Sequence, residues 1–133
     1  DDVTLDDVEI GDDLKITTGR GNDVVLITET DVDDRTKVKT GSGDDAVGIL
    51  GGSFGDDVDI SGGKGDDGIG VGGGADFGDD LEIDGGSGTN GVAIDDSVTV
   101  DDDLDLDDID IVFDVEIDDV EDLFDLFFGD VDT

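Results

Sequence analysis

The chain contains no cysteine, histidine, methionine, tryptophan, tyrosine or proline. Without cysteine there is no disulfide framework and no thiolate metal site. Without histidine there is no imidazole ligand and no Cys–His nucleophile–base pair. Basic residues are nearly as scarce. Six Lys and Arg stand against 42 Asp and Glu, a formal net charge of −36 over 133 residues. Such a chain repels nucleic acid and anionic membrane surfaces, so neither is expected as a partner. No apolar run approaches the roughly 20 residues that cross a bilayer as a helix, and membrane insertion is not expected. Catalysis is not expected either. The carboxylates have no His, Cys or Tyr to be tuned against, and six scattered bases are poor provision for neutralising an acidic sugar.

What the chain does have is aspartate, glycine and a period. Only five of the acids are Glu; the other 37 are Asp, a poor helix and strand former but a good turn residue and a short oxygen ligand. A glycine turn occurs at Gly19-Arg20-Gly21-Asn22-Asp23, Gly41-Ser42-Gly43-Asp44-Asp45 and Gly63-Lys64-Gly65-Asp66-Asp67, with a weaker copy at Gly86-Ser87-Gly88-Thr89-Asn90. The leading glycines lie 22, 22 and 23 residues apart. The same step separates Gly11-Asp12-Asp13, Asp33-Asp34-Arg35, Gly55-Asp56-Asp57 and Gly78-Asp79-Asp80, followed at i and i+2 by an apolar pair in three copies (Leu14/Ile16, Val58/Ile60, Leu81/Ile83) and by Thr36/Val38 in the other. A second apolar pair follows each glycine turn: Val25/Ile27, Val47/Ile49, Ile69/Val71 and Val92/Ile94.

Apolar residues at i and i+2 have the period of a strand with one buried face. With an apolar corner residue before each Asp-Asp turn (Ile10, Val32, Phe54, Phe77), one repeat holds too few apolar side chains for a core of its own. Stacked repeats bury them in a continuous column. The expected fold is an all-β parallel β-solenoid of about five coils, each of about 22 residues, spanning 1–106. Residues 107–133 are expected to form a divergent last coil and cap. There Val120, Leu123, Phe124 and Phe127 are spaced for a short capping helix, with a further strand as the alternative. Phe124, Phe127 and Phe128 either close the core or form a self-association patch.

In a solenoid, equivalent residues stack about 4.8 Å apart. Asp23, Asp45 and Asp67 then form one ladder, continued by Asn90. Asp12, Asp13, Asp34, Asp56, Asp57, Asp79 and Asp80 form another at the opposite corner. Two carboxylates about 5 Å apart repel by about 1 kcal/mol in water and about 3 kcal/mol at an effective dielectric of 20. Protonation fails near neutral pH unless the pKa values rise greatly, which leaves a salt-screened acidic shell of the halophile kind or divalent cations between coils to offset this. The glycines favour cations, because left-handed turns allow backbone carbonyls to face an ion.

The stretch GGKGDDGIG at Gly62–Gly70 resembles the G-G-x-G-x-D-x-U-x nonapeptide of the RTX (repeats-in-toxin) family, whose parallel β-roll is filled with calcium. The resemblance covers about residues 11–95; the looser repeat pattern is also similar to repeats of large bacterial surface proteins. It implies Ca2+ ligands at Asp23, Asp45 and Asp67, with carbonyls near Gly19, Gly21, Gly41, Gly43, Gly63 and Gly65. Asn22, Asp44 and Asp66 lie beside that set, and Asp1 and Asn90 continue it. The period of 22 is not twice nine, and Thr18 and Thr40 stand where the motif has its first glycine. The expected role is a calcium-binding, extracellular structural protein whose subunits stack head to tail into a surface or matrix filament. The alternatives are a calcium-folded module of a larger secreted adhesin or enzyme, and a halophile's acid-shelled domain.

Overall fold

The computed structural model describes residues 1–113; the capping helix, Val120, Leu123 and the cluster Phe124, Phe127 and Phe128 lie outside the described residues. The described chain is a parallel β-solenoid of about five coils without a helix. Each coil contributes one strand to each of three sheets.

Sheet one contains β1 (Asp2–Asp6), β4 (Val24–Thr28), β7 (Ala46–Leu50), β10 (Gly68–Gly72), β13 (Gly91–Ile94) and β16 (Ile111–Phe113). Sheet two contains the two-residue strands β2 (Glu9–Ile10), β5 (Asp31–Val32), β8 (Ser53–Phe54), β11 (Asp76–Phe77) and β14 (Thr99–Val100). Sheet three contains β3 (Leu14–Arg20), β6 (Thr36–Ser42), β9 (Val58–Lys64), β12 (Leu81–Asp84) and β15 (Leu104–Asp107). The sequence pattern predicts two strands and an apolar corner per coil. The corner residues instead form a sheet of their own, sheet two, where Ile10 pairs with Val32, Val32 with Phe54 and Phe54 with Phe77. Two residues carry too little alternation to be recognised as a strand, but the coil-to-coil register makes them one.

The register follows the sequence period. Val25 lies opposite Val3 and Val47, and Ile60 opposite Val38 and Ile83. The 23-residue step is absorbed between Gly72 and Asp76, since Gly72 pairs with Leu50 but Asp76 with Ser53. Ala75, within that corner, is fully buried in the core. The last coil shortens. Asp84 pairs with Asp107 but Gly91 with Ile111, so the three residues Asp108-Ile109-Asp110 stand where the preceding coil has a six-residue glycine turn.

Inward side chains form one column: Val25, Ile27, Val47, Ile49, Ile69, Val71 and Val92 from sheet one, Val38, Ile60 and Ile83 from sheet three, and Val32, Phe54 and Phe77 from sheet two. The rings of Phe54 and Phe77 stack at 5.1 Å and 10°. Burying each such side chain contributes about 1.5–3 kcal/mol. Sheet one is buried on its other face as well in the middle coils, where Ala46, Leu50 and Ala93 are 0–5% exposed. That departs from the single buried face the alternation predicts.

Candidate metal centre

Two corners of each coil concentrate carboxylates, and the fold treats them differently. The glycine corner joins sheet three to sheet one. Gly63 there has φ +99°, a left-handed conformation that strains any residue with a Cβ. A Cβ on it would lie 2.0 Å from the carbonyl oxygen of Gly41. Glycine is therefore required for the coils to approach, and its carbonyl is engaged along the stack: Ser87 N–H donates to the Gly63 oxygen at 2.8 Å. The sequence suggests inward-facing glycine carbonyls at an ion; the geometry assigns these glycines first to coil contact.

Beyond each glycine pair lie two side-chain ladders of opposite direction. The outer one is exposed: Asp44 N–H donates to Asn22 Oδ1, Asp66 N–H to Asp44 Oδ1 and Thr89 N–H to Asp66 Oδ1, at 2.8–2.9 Å. The inner one is buried: Asp23 N–H donates to Asp45 Oδ1 at 2.7 Å, Asp45 N–H to Asp67 Oδ1 at 2.8 Å and Asp67 N–H to Asn90 Oδ1 at 3.0 Å. The ammonium group of Asp1 occupies the corresponding donor position on Asp23 Oδ1. It holds the Asp23 carboxyl below its ordinary range.

The inner ladder leaves a defect. The second carboxylate oxygen, Oδ2, of Asp23, Asp45 and Asp67 is buried and has no hydrogen-bond partner, and the three residues are only 1–4% exposed. Asn90 shows what the position requires. Its Nδ2 donates to the carbonyl oxygens of Gly86 and Asp108, at 3.2 and 3.1 Å. One coil earlier, Asp67 Oδ2 and the Gly85 carbonyl oxygen lie 2.5 and 2.9 Å from one point, the Cβ position of Gly62. In the next coil the Cβ position of Gly85 is flanked in the same way, by Asn90 Nδ2 at 2.7 Å and Asp108 O at 2.5 Å. Where asparagine places a donor against a carbonyl, aspartate places an oxygen. Burial raises the Asp67 carboxyl to about 6. A buried carboxylate oxygen with no donor is relieved by a proton or a cation.

The Asp-Asp corner joins sheet two to sheet three, and its carboxylates are exposed at the ends and half-buried at Asp56, Asp57 and Asp79. Its carboxylates converge in three triads with oxygens within 4.8 Å of one another: Asp12, Asp13 and Asp34; Asp56, Asp57 and Asp79; Asp79, Asp80 and Asp102. These serve the junctions of coils one and two, three and four, and four and five. Between coils two and three, Arg35 takes the row of Asp13, Asp57 and Asp80, and its Nη2 lies 3.9 Å from Asp57 Oδ2. The chain thus supplies a cation of its own at the junction that has no triad among the described residues. Asp79, shared by two triads, is raised above the usual carboxylate range by burial and then by Asp57, Asp80 and Asp102.

All the aspartates singled out from the sequence therefore fall in these two corners, but in separate sites. Asp102 was missed; its signal is the 23-residue step from Asp79 into Asp101-Asp102-Asp103. Both corners offer only hard oxygen donors, the set that suits calcium. Compared with known proteins, the chain matches no family model, no curated protein and no solved structure.

Proposed function

We propose that this solenoid is a calcium-stabilised structural protein of the RTX-like kind, working outside the cell. One observation carries the reading: three stacked, buried carboxylate oxygens without a partner, in a position that Asn90 fills with a donor. Ionic strength screens exposed carboxylates but does not enter a site closed to solvent, which argues against an acid shell alone. Asp23, Asp45 and Asp67 would hold ions between rungs, because a coil spacing of about 4.8 Å is about twice a calcium–oxygen distance of 2.3–2.6 Å. The triads at the Asp-Asp corner would take further, more exchangeable ions. Millimolar calcium outside the cell fills weak sites of this sort, and metal binding then becomes folding free energy. Such a column accepts a further in-register coil at a sheet edge, which makes end-to-end stacking the assembly this reading favours.

The test is circular dichroism of protein stripped of metal in dilute buffer at neutral pH. Calcium is expected to restore a cooperative β signal that molar KCl with EDTA does not. A β-rich fold that melts identically with and without calcium would overturn the reading.

A further inference from the structure

The basic residues are few, and their placement is not scattered in space. Five of the six lie on the strands of sheet three: Lys15, Arg20, Lys37, Lys39 and Lys64. Strands β3 and β6 carry no acid, whereas β12 and β15 carry no base. Strand by strand, the charge of this sheet runs +2, +2, 0, −2, −2 along the solenoid axis. In a molecule of charge −36, this one sheet is neutral and strongly polar end to end.

Within one copy that order is unfavourable. Lys15 lies opposite Lys37, and Glu82 lies between Asp59 and Asp105; like charges directly opposite each other destabilise a strand pair. Only the junction of opposite signs is used, with Lys37 Nζ 3.6 Å from Asp59 Oδ2. Asp59, then burial and Asp105, hold Glu82 above the usual carboxylate range. Lys15, Arg20, Lys39 and Lys64 have no ion pair among the described residues, although acids are abundant. Alternating signs would have served an isolated solenoid better than blocks.

We propose that the outward face of sheet three docks a second copy of this chain, with the two solenoid axes antiparallel. A two-fold axis in the interface, parallel to the strands and passing at β9, brings Lys15 over Asp105, Lys37 over Glu82 and Lys39 over Asp84 of the second copy. Each pairing occurs twice, as an isologous contact requires. Asp59 meets its own counterpart on the axis, each flanked by a Lys37. The opposite choice, with axes parallel, would stack lysine on lysine and carboxylate on carboxylate. Five strands at about 4.8 Å and four to seven residues at about 3.3 Å give a face of about 300–550 Å². That is below the roughly 800 Å² per partner of stable complexes, so the dimer is weak and reversible. Charge on the other faces is screened beyond about 8 Å at physiological salt. The inference does not depend on calcium at either corner.

Sedimentation of the full chain at high micromolar concentration in about 0.15 M salt with calcium is expected to show a reversible dimer. The double variants Lys37→Glu/Lys39→Glu and Glu82→Lys/Asp84→Lys should each lose it by at least tenfold in affinity, while an equimolar mixture of the two regains it. Because these residues lie on inner coils, end-to-end stacking does not predict that rescue. As a second measurement, Asp59→Cys in this cysteine-free chain should form a disulfide-linked dimer on mild oxidation, well above a Glu9→Cys control on sheet two. A wild type monomeric at all concentrations, a dimer unchanged in both double variants, or no excess crosslink at position 59 would overturn the proposal.

Discussion

The two acidic corners contain similar residues in a similar register and meet opposite fates. At the Asp-Asp corner the carboxylates are exposed or half-buried and none is sealed from water, where repulsion approaches the aqueous value of about 1 kcal/mol per neighbouring pair. At the glycine corner the aspartates Asp23, Asp45 and Asp67 are buried. Each then gives one oxygen to a backbone N–H of the coil before it, and the other has no partner. The density of aspartate is thus a poor guide to where a cation matters. The depth of the oxygen, and what opposes it, is the better one.

The largest expected effect tests why the glycine corner is closed. Gly63→Ala forces a Cβ to within 2.0 Å of the Gly41 oxygen at φ +99° and should cost about 3 kcal/mol of stability. Urea denaturation in calcium measures it, and a cost below 1 kcal/mol would mean the coils spread without difficulty.

Next in size is Asp67→Asn, which makes the third rung like that of Asn90. In metal-free protein at pH 7 it should stabilise by about 1–3 kcal/mol, the cost of a buried unsatisfied group, and lose part of the calcium response. A destabilised metal-free variant would break the analogy with Asn90. The pH dependence has a defined sign. The folded Asp67 carboxyl titrates at about 6, above its ordinary 3.8, so the folded form binds the extra proton. Metal-free protein should gain stability as pH falls from 7 through 6 toward 4, and lose it as pH rises again. With calcium present the trend should reverse, since protons then compete with the ion. Thermal melts of wild type and variant at pH 5 and 7 read both.

The smallest effect belongs to the open corner. Asp79→Asn should change metal-free stability by no more than about 0.5 kcal/mol, yet weaken calcium binding at two triads at once. Calorimetric titration showing an unaltered stoichiometry would remove the Asp-Asp corner from the metal account.

Much of the fold was legible in the sequence, because a repeat of 22 residues states its own register. Once Val25, Val47 and Ile69 are recognised as equivalents, stacking follows from the need to bury them. The two-residue strand carrying Phe54 was not legible, since two residues have no period. Nor was the second buried face at Ala46 and Leu50, whose small and apolar side chains look like ordinary outward positions. The site was legible as composition and spacing but not as environment. Asp45 and Asp57 belong to equally regular rows, and only one of them is sealed from water.

The order of residues by itself determined the number of coils, the stacking of like on like and the carboxylate ladders, since all three follow from a constant step along a chain. The tertiary structure alone decided which carboxylate oxygens lie buried without a partner and which equally regular rows remain open to water. Burial and facing depend on how corners bend and how closely coils approach, and a linear period carries no record of either.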